Sequence, residues 1–215
     1  MEDCDLVVIG GGVMGLFTAY HASERHAQAV VLEQGRIGDP MTASYGRTRS
    51  FRSDYLDPHY ARLAHEAFRL WEEFERRTGT DVLVRCGCMN IAKRSVTPDL
   101  AGTYAQLSAD VLKRIGMRTE SFDAQALQRS FPYLDADIGQ LEEDAGVVDL
   151  AAVTRALAGR VRAIEGVGTY EITRDGDLYR VRTSAGEFAT RSLVITAGHG
   201  TNGVLSLLSL SLIHI

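Results

Sequence analysis

The chain has few of the features that mark secreted, metal-binding and membrane-spanning proteins. Its 215 residues include three cysteines, Cys4, Cys86 and Cys88, which form no C-x-x-C pair and do not cluster with the six histidines. This spacing argues against a disulfide framework and a zinc-type site, so we expect reduced thiols and no metal. No apolar run is long enough to span a bilayer. Because no basic stretch precedes the first apolar run, we expect no secretory signal and a cytoplasmic protein.

The excess of negative over positive charge is also small. The formal net charge is −5, from 28 acidic and 23 basic residues spread along the chain. This balance leaves no basic footprint for nucleic acid and no broad field that draws in anions, so any anion site must be local. Hydrophobic residues make up 45% of the chain, which is typical of a globular protein with a buried core.

Residues 5–33 form the most informative segment. An apolar run at residues 6–9 leads into Gly10, Gly12 and Gly15 in the spacing G-x-G-x-x-G, and a helical stretch follows. In this context Gly10 permits a tight turn, Gly12 lets the backbone approach a pyrophosphate, and Gly15 lets the helix pack closely on the strand. The segment therefore predicts a site for an adenine dinucleotide, and with it redox chemistry.

The helix and strand that follow the glycines complete this site. The predicted helix begins with Val13 and Met14 and points its free N–H groups at the phosphate, so both residues join the predicted cofactor-binding set. A second apolar run ends at Glu33, eighteen positions after Gly15, where a carboxylate can accept both ribose hydroxyls. This charge disfavours a 2′-phosphate. A strand-to-helix turn without a ligand, and a merely solvated Glu33, stay open as alternatives.

The rest of the chain does not read as a simple string of β-α-β units. Periodicity and caps predict helices that begin at Asp57-Pro58, at Thr97 with an end at Gly116, at residues 123–130, and from Leu150 to about Ala163. Strand signals predict a hairpin of residues 82–85 and 88–92 around Gly87, a meander at residues 170–189, and a buried strand at residues 192–196. This order indicates an α/β fold in which a Rossmann-like domain is interrupted by an inserted α+β portion.

In five segments the chain resembles the FAD-dependent amine oxidases of the sarcosine oxidase and N-methyltryptophan oxidase group, within the D-amino-acid oxidase superfamily. The segments are DLVVIGGGVMG, VVLEQ, SYGRTRSFR at residues 44–52, EEDAGVVD at residues 142–149 and LVITAG at residues 193–198. The resemblance implies FAD as cofactor and oxidation of the carbon next to nitrogen in a sarcosine-like amino acid. It implies dioxygen as acceptor and hydrogen peroxide as product.

The same resemblance implies roles for individual residues. Ser44 and its neighbours border the FAD, and Gly198 brings backbone close to it. Thr48 and Arg49 lie near the isoalloxazine. Gln34 joins the predicted cofactor-binding residues. 

Arg52 is implied to bind the substrate carboxylate. A planar guanidinium suits this role because its fork matches a carboxylate in two parallel hydrogen bonds. Without the resemblance, Arg47, Arg49 and Arg52 would be interpreted as a solvated basic loop. With it, Arg49 and Arg52 are the predicted catalytic residues, and Arg47 is expected on the surface.

The resemblance also implies a domain division. It assigns residues 1–85 and 146–205 to the FAD-binding domain and residues 86–145 to part of a substrate domain. The residues between Ile164 and Tyr170 look too few for the strand and turn expected before the meander. Residues 206–215 are expected to be a non-native tail, because LSLIHI resembles a translated sequencing adapter; a genuine apolar strand or helix end is the alternative.

The family's second half is expected to be missing from the chain. In the family that half carries the lysine that activates dioxygen, the cysteine that links to flavin in some members, and much of the substrate pocket. Cys86 and Cys88 do not occupy the linking position. We therefore expect these 215 residues to be inactive alone, and the sequence leaves the oligomeric state open.

Three other functions stay open at this point. One is an FAD-dependent dehydrogenase of the same superfamily that oxidises a hydroxy acid or glycerol phosphate and passes electrons to a carrier. Another is a non-catalytic module that keeps the nucleotide fold. An NAD-linked dehydrogenase is less favoured, because the third strand it requires does not directly follow Glu33.

Overall fold

The computed structural model of the protein describes residues 1–210 and forms two compact units. Unit 1 comprises residues 1–47 together with the chain from residue 150, and unit 2 comprises residues 48–149. The predicted non-native tail, residues 206–215, extends beyond the described residues, because 211–215 lie outside them. That part of the interpretation stays a prediction.

The predicted domain boundaries do not coincide with the unit boundaries. The predicted insertion, residues 86–145, lies within unit 2, but unit 2 begins earlier and ends later. The chain leaves unit 1 after Arg47 and returns at Leu150, and the Leu150 N–H donates to the Arg47 carbonyl at 2.9 Å. This hydrogen bond joins the two points at which the chain leaves and re-enters unit 1. The functional assignment of the predicted domains stays a prediction.

The described residues contain the following strands and helices. The strands are β1 (Glu2–Ile9), β2 (Ala29–Leu32), β3 (Thr48–Phe51), β4 (Leu83–Val84), β5 (Cys88–Ala92), β6 (Glu120–Asp123), β7 (Ile138–Glu142), β8 (Gly146–Asp149), β9 (Arg162–Ile164), β10 (Thr169–Asp175), β11 (Leu178–Thr183) and β12 (Gly186–Ile195). The helices are α1 (Val13–Ser23), α2 (Pro58–Thr78), α3 (Tyr104–Arg114), α4 (Ala124–Ser130), α5 (Leu150–Ala158) and α6 (Thr201–Ser206).

In the described part of unit 1, a six-stranded sheet has the order β10-β11-β12-β1-β2-β9. Strands β12, β1, β2 and β9 are parallel, and β10 to β12 form an antiparallel meander. Both faces of the second half of β1 are buried: Val7 and Ile9 belong to one hydrophobic cluster, and Val8 packs with Ala19 of α1 in another. Continuous apolar strands suit a parallel sheet that is covered on both faces. The predicted interrupted Rossmann-like α/β fold is confirmed.

Two predicted boundaries in unit 1 are wrong. Helix α5 ends at Ala158 and not near Ala163, because the chain turns at Gly159 and residues 162–164 form β9 beside β2. Between β9 and the meander, which begins at Thr169, residues 165–168 contain no further strand. The segments predicted separately at residues 187–189 and 192–196 are one strand, β12, because β1 pairs with it along nearly its whole length.

Unit 2 contains two three-stranded sheets, β3-β8-β4 and β5-β7-β6, within the described residues. The predicted hairpin is wrong: β4 pairs with β8, whereas β5 pairs with β7. Gly87 between them has a φ of 71°, and its N–H donates to the Ala145 carbonyl at 2.9 Å, so the chain is led away from β4. Alternating residues identified both strands correctly but carried no information about their partners.

The helices of unit 2 begin at capping side chains. Asp57 caps α2 as predicted, because its carboxylate accepts from the His59 N–H at 2.7 Å. The prediction that Thr97 caps α3 is wrong. The helix begins later, where the Thr103 hydroxyl accepts from the Gln106 N–H at 3.4 Å, because the residues between the two threonines form turns.

Candidate functional site

The glycine turn, residues 10–15, joins β1 to α1 and admits no side chain at two positions. Gly10 has a φ of 109°, and a Cβ there would lie 2.5 Å from the Thr196 carbonyl oxygen. A Cβ at Gly15 would collide with the Gly10 carbonyl oxygen and lie 2.7 Å from Thr196 Oγ1. The turn and the start of α1 therefore pack directly on the end of β12.

The N-terminus of α1 faces open space. Gly12 is the N-cap residue and supplies no side-chain cap, and a Cβ on it would meet only Ser44 Oγ, at 3.3 Å. Ser44 instead caps the helix from the following loop, because its Oγ accepts from the Val13 N–H at 2.9 Å. The N–H groups of Gly12 and Met14 have no acceptor among the described residues. These donors and the positive end of the helix dipole form a cradle suited to a phosphate.

Glu33 lies at the end of β2 and is 7% exposed. Its Oε2 accepts from the Gly11 N–H at 2.6 Å, and its Oε1 accepts from the Gly35 N–H at 2.7 Å. Two backbone donors thus fix the carboxylate plane, and each oxygen retains a lone pair for a ribose hydroxyl. Gln34, the next predicted residue, is exposed.

The end of β12 completes the turn. The Thr196 hydroxyl contacts the carbonyl oxygens of Ile9 and Gly10, at 3.2 and 2.9 Å. Gly198 follows two residues later with a φ of 56°, where a single 3-10 turn begins. The structure therefore brings together most of the predicted cofactor residues in unit 1: Gly10, Gly12, Val13, Met14, Gly15, Glu33 and Ser44.

This arrangement fits the adenosine diphosphate portion of a dinucleotide. The open N-terminus of α1 suits the pyrophosphate, and the missing Cβ at Gly12 keeps its approach free. The fixed acceptor oxygens of Glu33 suit the ribose hydroxyls. No observation in unit 1 conflicts with such a ligand.

The remaining predicted residues belong to unit 2. Thr48 and Arg49 lie in β3, which pairs with β8, and both are exposed. The Arg49 Nη1 donates to the Thr48 carbonyl at 2.9 Å. Arg52 follows β3 and is half-buried.

Arg52, Asp54, Asn90 and Tyr104 form what we call the Arg52 network. Arg52 Nη1 is paired with Asp54 Oδ1 and donates to the Tyr104 hydroxyl at 3.0 Å. The Tyr104 hydroxyl in turn donates to the backbone carbonyl of Asp54 at 2.6 Å, and Asn90 Nδ2 donates to Asp54 Oδ2. The Arg52 guanidinium also lies 5.3 Å from the ring centre of Tyr55. Hydrogen bonds to Tyr104 and Asp54 raise the pKa of Arg52, which stays charged.

A second buried acid lies in unit 2. Glu142 is 4% exposed, and both of its carboxylate oxygens accept from the Ser53 N–H at 2.9 Å. Burial raises the pKa of Glu142, and the Ser53 hydrogen bond offsets part of this rise. Burial likewise raises the pKa of Cys88, with a contribution from the Asp54 charge, so this thiol is not activated as a nucleophile.

Sequence reasoning missed Thr196, Asp54, Asn90 and Tyr104. A signal existed for Thr196, which directly precedes the predicted Ala-Gly pair at the end of a strand. Asp54 lies two residues after Arg52, which is a weak signal. Asn90 and Tyr104 are 36 and 50 residues from Asp54, so only the folded chain brings them to it.

The described residues also bear on disulfides, metal sites and membrane spans. The three cysteines are not paired with one another. Residues 1–210 contain no group of three or more His, Cys, Asp or Glu side chains arranged to hold a metal ion. Over the same residues, no helix combines the length and apolar character needed to cross a membrane.

The family and the individual proteins that this chain is similar to agree with one another. The DAO family, described as FAD dependent oxidoreductase, matches residues 5–214. Peroxisomal sarcosine oxidase of Homo sapiens is 30% identical over 213 residues, which cover 94% of this chain and 52% of that protein. Monomeric sarcosine oxidase of Streptomyces avermitilis is 31% identical over 205 residues, covering 90% of this chain and 51% of that protein.

A solved structure agrees with these matches. NikD, an unusual amino acid oxidase essential for nikkomycin biosynthesis, has a TM-score of 0.81 and 26% identity in its open form. The match covers 96% of this chain and 54% of NikD. The chain thus spans about half the length of the relatives it matches.

Proposed function

Because this chain belongs to the DAO family of FAD-dependent oxidoreductases, we propose that its protein oxidises the carbon next to nitrogen in a secondary or primary amino acid of the sarcosine type. The observation that carries the proposal is the open N-terminus of α1 beside the fixed carboxylate of Glu33. The substrate class is supported by relatives that are named sarcosine oxidases. We propose dioxygen as the electron acceptor and hydrogen peroxide as the product.

In this proposal unit 1 binds the cofactor. The N–H groups at the start of α1 and the Ser44 hydroxyl bind the pyrophosphate, and Glu33 binds the ribose. Ser44 is oriented for this task, because its oxygen already accepts from Val13 and its own proton is free to be donated outward. FAD, when bound, supplies the acceptor for two electrons and a proton from the substrate carbon.

In the same proposal Arg52 binds the substrate carboxylate. Its Nη1 is used within the Arg52 network, whereas Nε and Nη2 have no hydrogen-bond acceptor among the described residues. That edge of the guanidinium offers two parallel donors, which fix a carboxylate and with it the adjacent C–H bond. The substrate amine loses two electrons and two protons to become an imine: the electrons and one proton would pass to the flavin, and the second proton would pass to water and be recovered when dioxygen takes up the electrons as hydrogen peroxide. Water then hydrolyses the imine to an amine and a carbonyl compound.

The proposal is tested with the full-length protein, purified and loaded with FAD. We expect sarcosine or another N-methyl amino acid to consume dioxygen and release an equal amount of hydrogen peroxide. Oxidation of the same substrate with an artificial electron carrier but without peroxide would instead support a dehydrogenase. A protein that binds FAD but oxidises no amine would support a non-catalytic module.

The assignment of Arg52 has its own test. We expect Arg52→Ala to raise the KM for sarcosine roughly 10- to 100-fold, because a bidentate charged hydrogen bond is lost, while the amount of bound FAD stays unchanged. Arg69→Ala is the matched control, since Arg69 is an exposed arginine of α2 paired with Glu66. An equal KM for Arg52→Ala and Arg69→Ala would remove Arg52 from this role.

A further inference from the structure

Two neighbours occupy one side of the Arg52 guanidinium before any ligand binds. Nη1 is paired with Asp54 Oδ1 and also donates to the Tyr104 hydroxyl at 3.0 Å. The Tyr104 hydroxyl donates a hydrogen bond to the backbone carbonyl of Asp54 at 2.6 Å, so the three residues close a ring of hydrogen bonds. A guanidinium held at Nη1 has little freedom to rotate about its long side chain, whose mobility otherwise costs binding free energy.

The acid in this ring is itself fixed. The Asp54 side chain is 3% exposed, and its second oxygen accepts from Asn90 Nδ2. Among the described residues Arg52 is the cation paired with Asp54. A counter-charge and hydrogen bonds to the remaining lone pairs both stabilise a buried carboxylate, and Arg52 and Asn90 supply these to Asp54. Asp54 therefore acts as a rigid support and not as a mobile surface partner.

We propose that Asp54 and Tyr104 are positioning residues for Arg52, which they orient so that its Nε–Nη2 edge meets the substrate carboxylate. This inference rests on the proposed function, in which Arg52 binds that carboxylate. The oriented Arg52 guanidinium selects substrates with a carboxylate over amines that lack one, because its fixed edge offers two parallel donors to a planar acceptor.

A simple charge argument predicts the opposite effect for Asp54. Its negative charge partly neutralises Arg52, so removal of that charge would strengthen attraction for an anionic group. Positioning predicts weaker binding despite the added net positive charge. The sign of the change in KM therefore separates the two explanations.

The experiment uses the FAD-loaded, full-length protein and compares Tyr104→Phe, Asp54→Asn and Arg52→Ala. Tyr104→Phe removes the hydroxyl without changing charge, so we expect the KM for sarcosine to rise about five-fold with less than a two-fold change in kcat. For Asp54→Asn we expect a rise of about ten-fold, because a charge-assisted bond is lost. The dissociation constant of propionate, a carboxylate without an amine, should rise by the same factors.

Tyr133→Phe and Asp135→Asn are the matched controls. Both residues are exposed, and neither contacts the Arg52 network. If Arg52→Ala raises KM but Tyr104→Phe does not, positioning is wrong and the proposed function stands. A fall in KM for Asp54→Asn would also overturn positioning. If Arg52→Ala itself has no effect, both assignments fail. Should Asp54→Asn not fold, Tyr104→Phe decides alone.

Discussion

In the glycine turn of unit 1 the donors are backbone N–H groups, whereas in the Arg52 network of unit 2 they are side chains. Glu33 is held by the N–H groups of Gly11 and Gly35. Asp54 is held by the side chains of Arg52 and Asn90. Both acids are buried, but only the second is paired with a cation.

This difference determines what each region tolerates. The glycine turn requires two residues without a Cβ atom, because a Cβ at Gly10 or Gly15 would overlap the backbone. A network of side chains can lose one member and keep its backbone in place. We therefore expect substitutions in the turn to act on folding and those in the network to act on ligand recognition.

The largest expected effect is that of Gly15→Ala. The new methyl group collides with the Gly10 carbonyl and Thr196, so α1 must shift away from β12. Overpacking of this kind reduces the free energy of unfolding by about 3 kcal/mol. Urea denaturation followed by circular dichroism measures the loss.

Gly203→Ala is the control for this substitution. Gly203 lies inside α6, and a Cβ there meets nothing within 4 Å. Alanine is the better helix former, so we expect a stability equal to or greater than that of the parent chain. Equal destabilisation by both alanines would show that close packing at Gly15 is not the cause.

A smaller effect is expected for Glu33→Gln. Glutamine keeps the volume but has one acceptor oxygen, so either the Gly11 or the Gly35 N–H faces an amide donor. An unsatisfied buried donor costs about 1–3 kcal/mol, and we expect affinity for FAD to fall at least ten-fold. Quenching of FAD fluorescence on binding measures this affinity.

Glu165→Gln provides the comparison for Glu33. Glu165 also accepts from a backbone N–H, that of Ile37, but it is exposed to water. We expect its substitution to leave FAD affinity unchanged. If both variants bind FAD as the parent does, the role assigned to the Glu33 carboxylate is wrong.

The smallest expected effect is a change in pH dependence for Glu142→Gln. Because burial raises the pKa of Glu142, the native state holds this proton more tightly than the unfolded state does. Its contribution to stability is present at low pH and is lost as pH rises from the ordinary value through the raised one. Glu142→Gln removes this loss, so its advantage over the parent should grow as pH rises above the ordinary pKa of a glutamate, about 4.

Urea denaturation at each pH tests this expectation. Glu143→Gln is the matched control, because Glu143 is the neighbouring acid and is exposed. Parallel curves for the parent and Glu142→Gln would show that the buried acid titrates alike in both states.

Much of unit 1 could be predicted because its signals are local. The apolar runs of β1 and β2, the glycine spacing and Glu33 lie within 33 residues, and the chain between them is short. The end of α5 and strand β9 could not be predicted, because an apolar pattern at residues 150–164 suits a helix as well as a helix followed by a strand.

Unit 2 was harder to predict because its contacts are distant in sequence. Strands β4 and β5 were recognised, but their partners β8 and β7 lie more than 45 residues away. The role of Arg52 was predicted from the resemblance. Neither Asn90 nor Tyr104, which belong to the Arg52 network, lies in a sequence pattern that predicts its contact. A polar residue within a strand or helix has the same local pattern whether it faces water or a buried acid.

The sequence by itself determined the two strands, the glycine turn and the acid that follows, because covalent neighbours and the sterics of a missing side chain decide them. Only the tertiary structure decided that Ser44 caps α1, that Thr196 closes the turn, and that Asp54 lies between Arg52 and Asn90. These contacts arise when distant strands pair and exclude water, and no local pattern of residues encodes which partner is met.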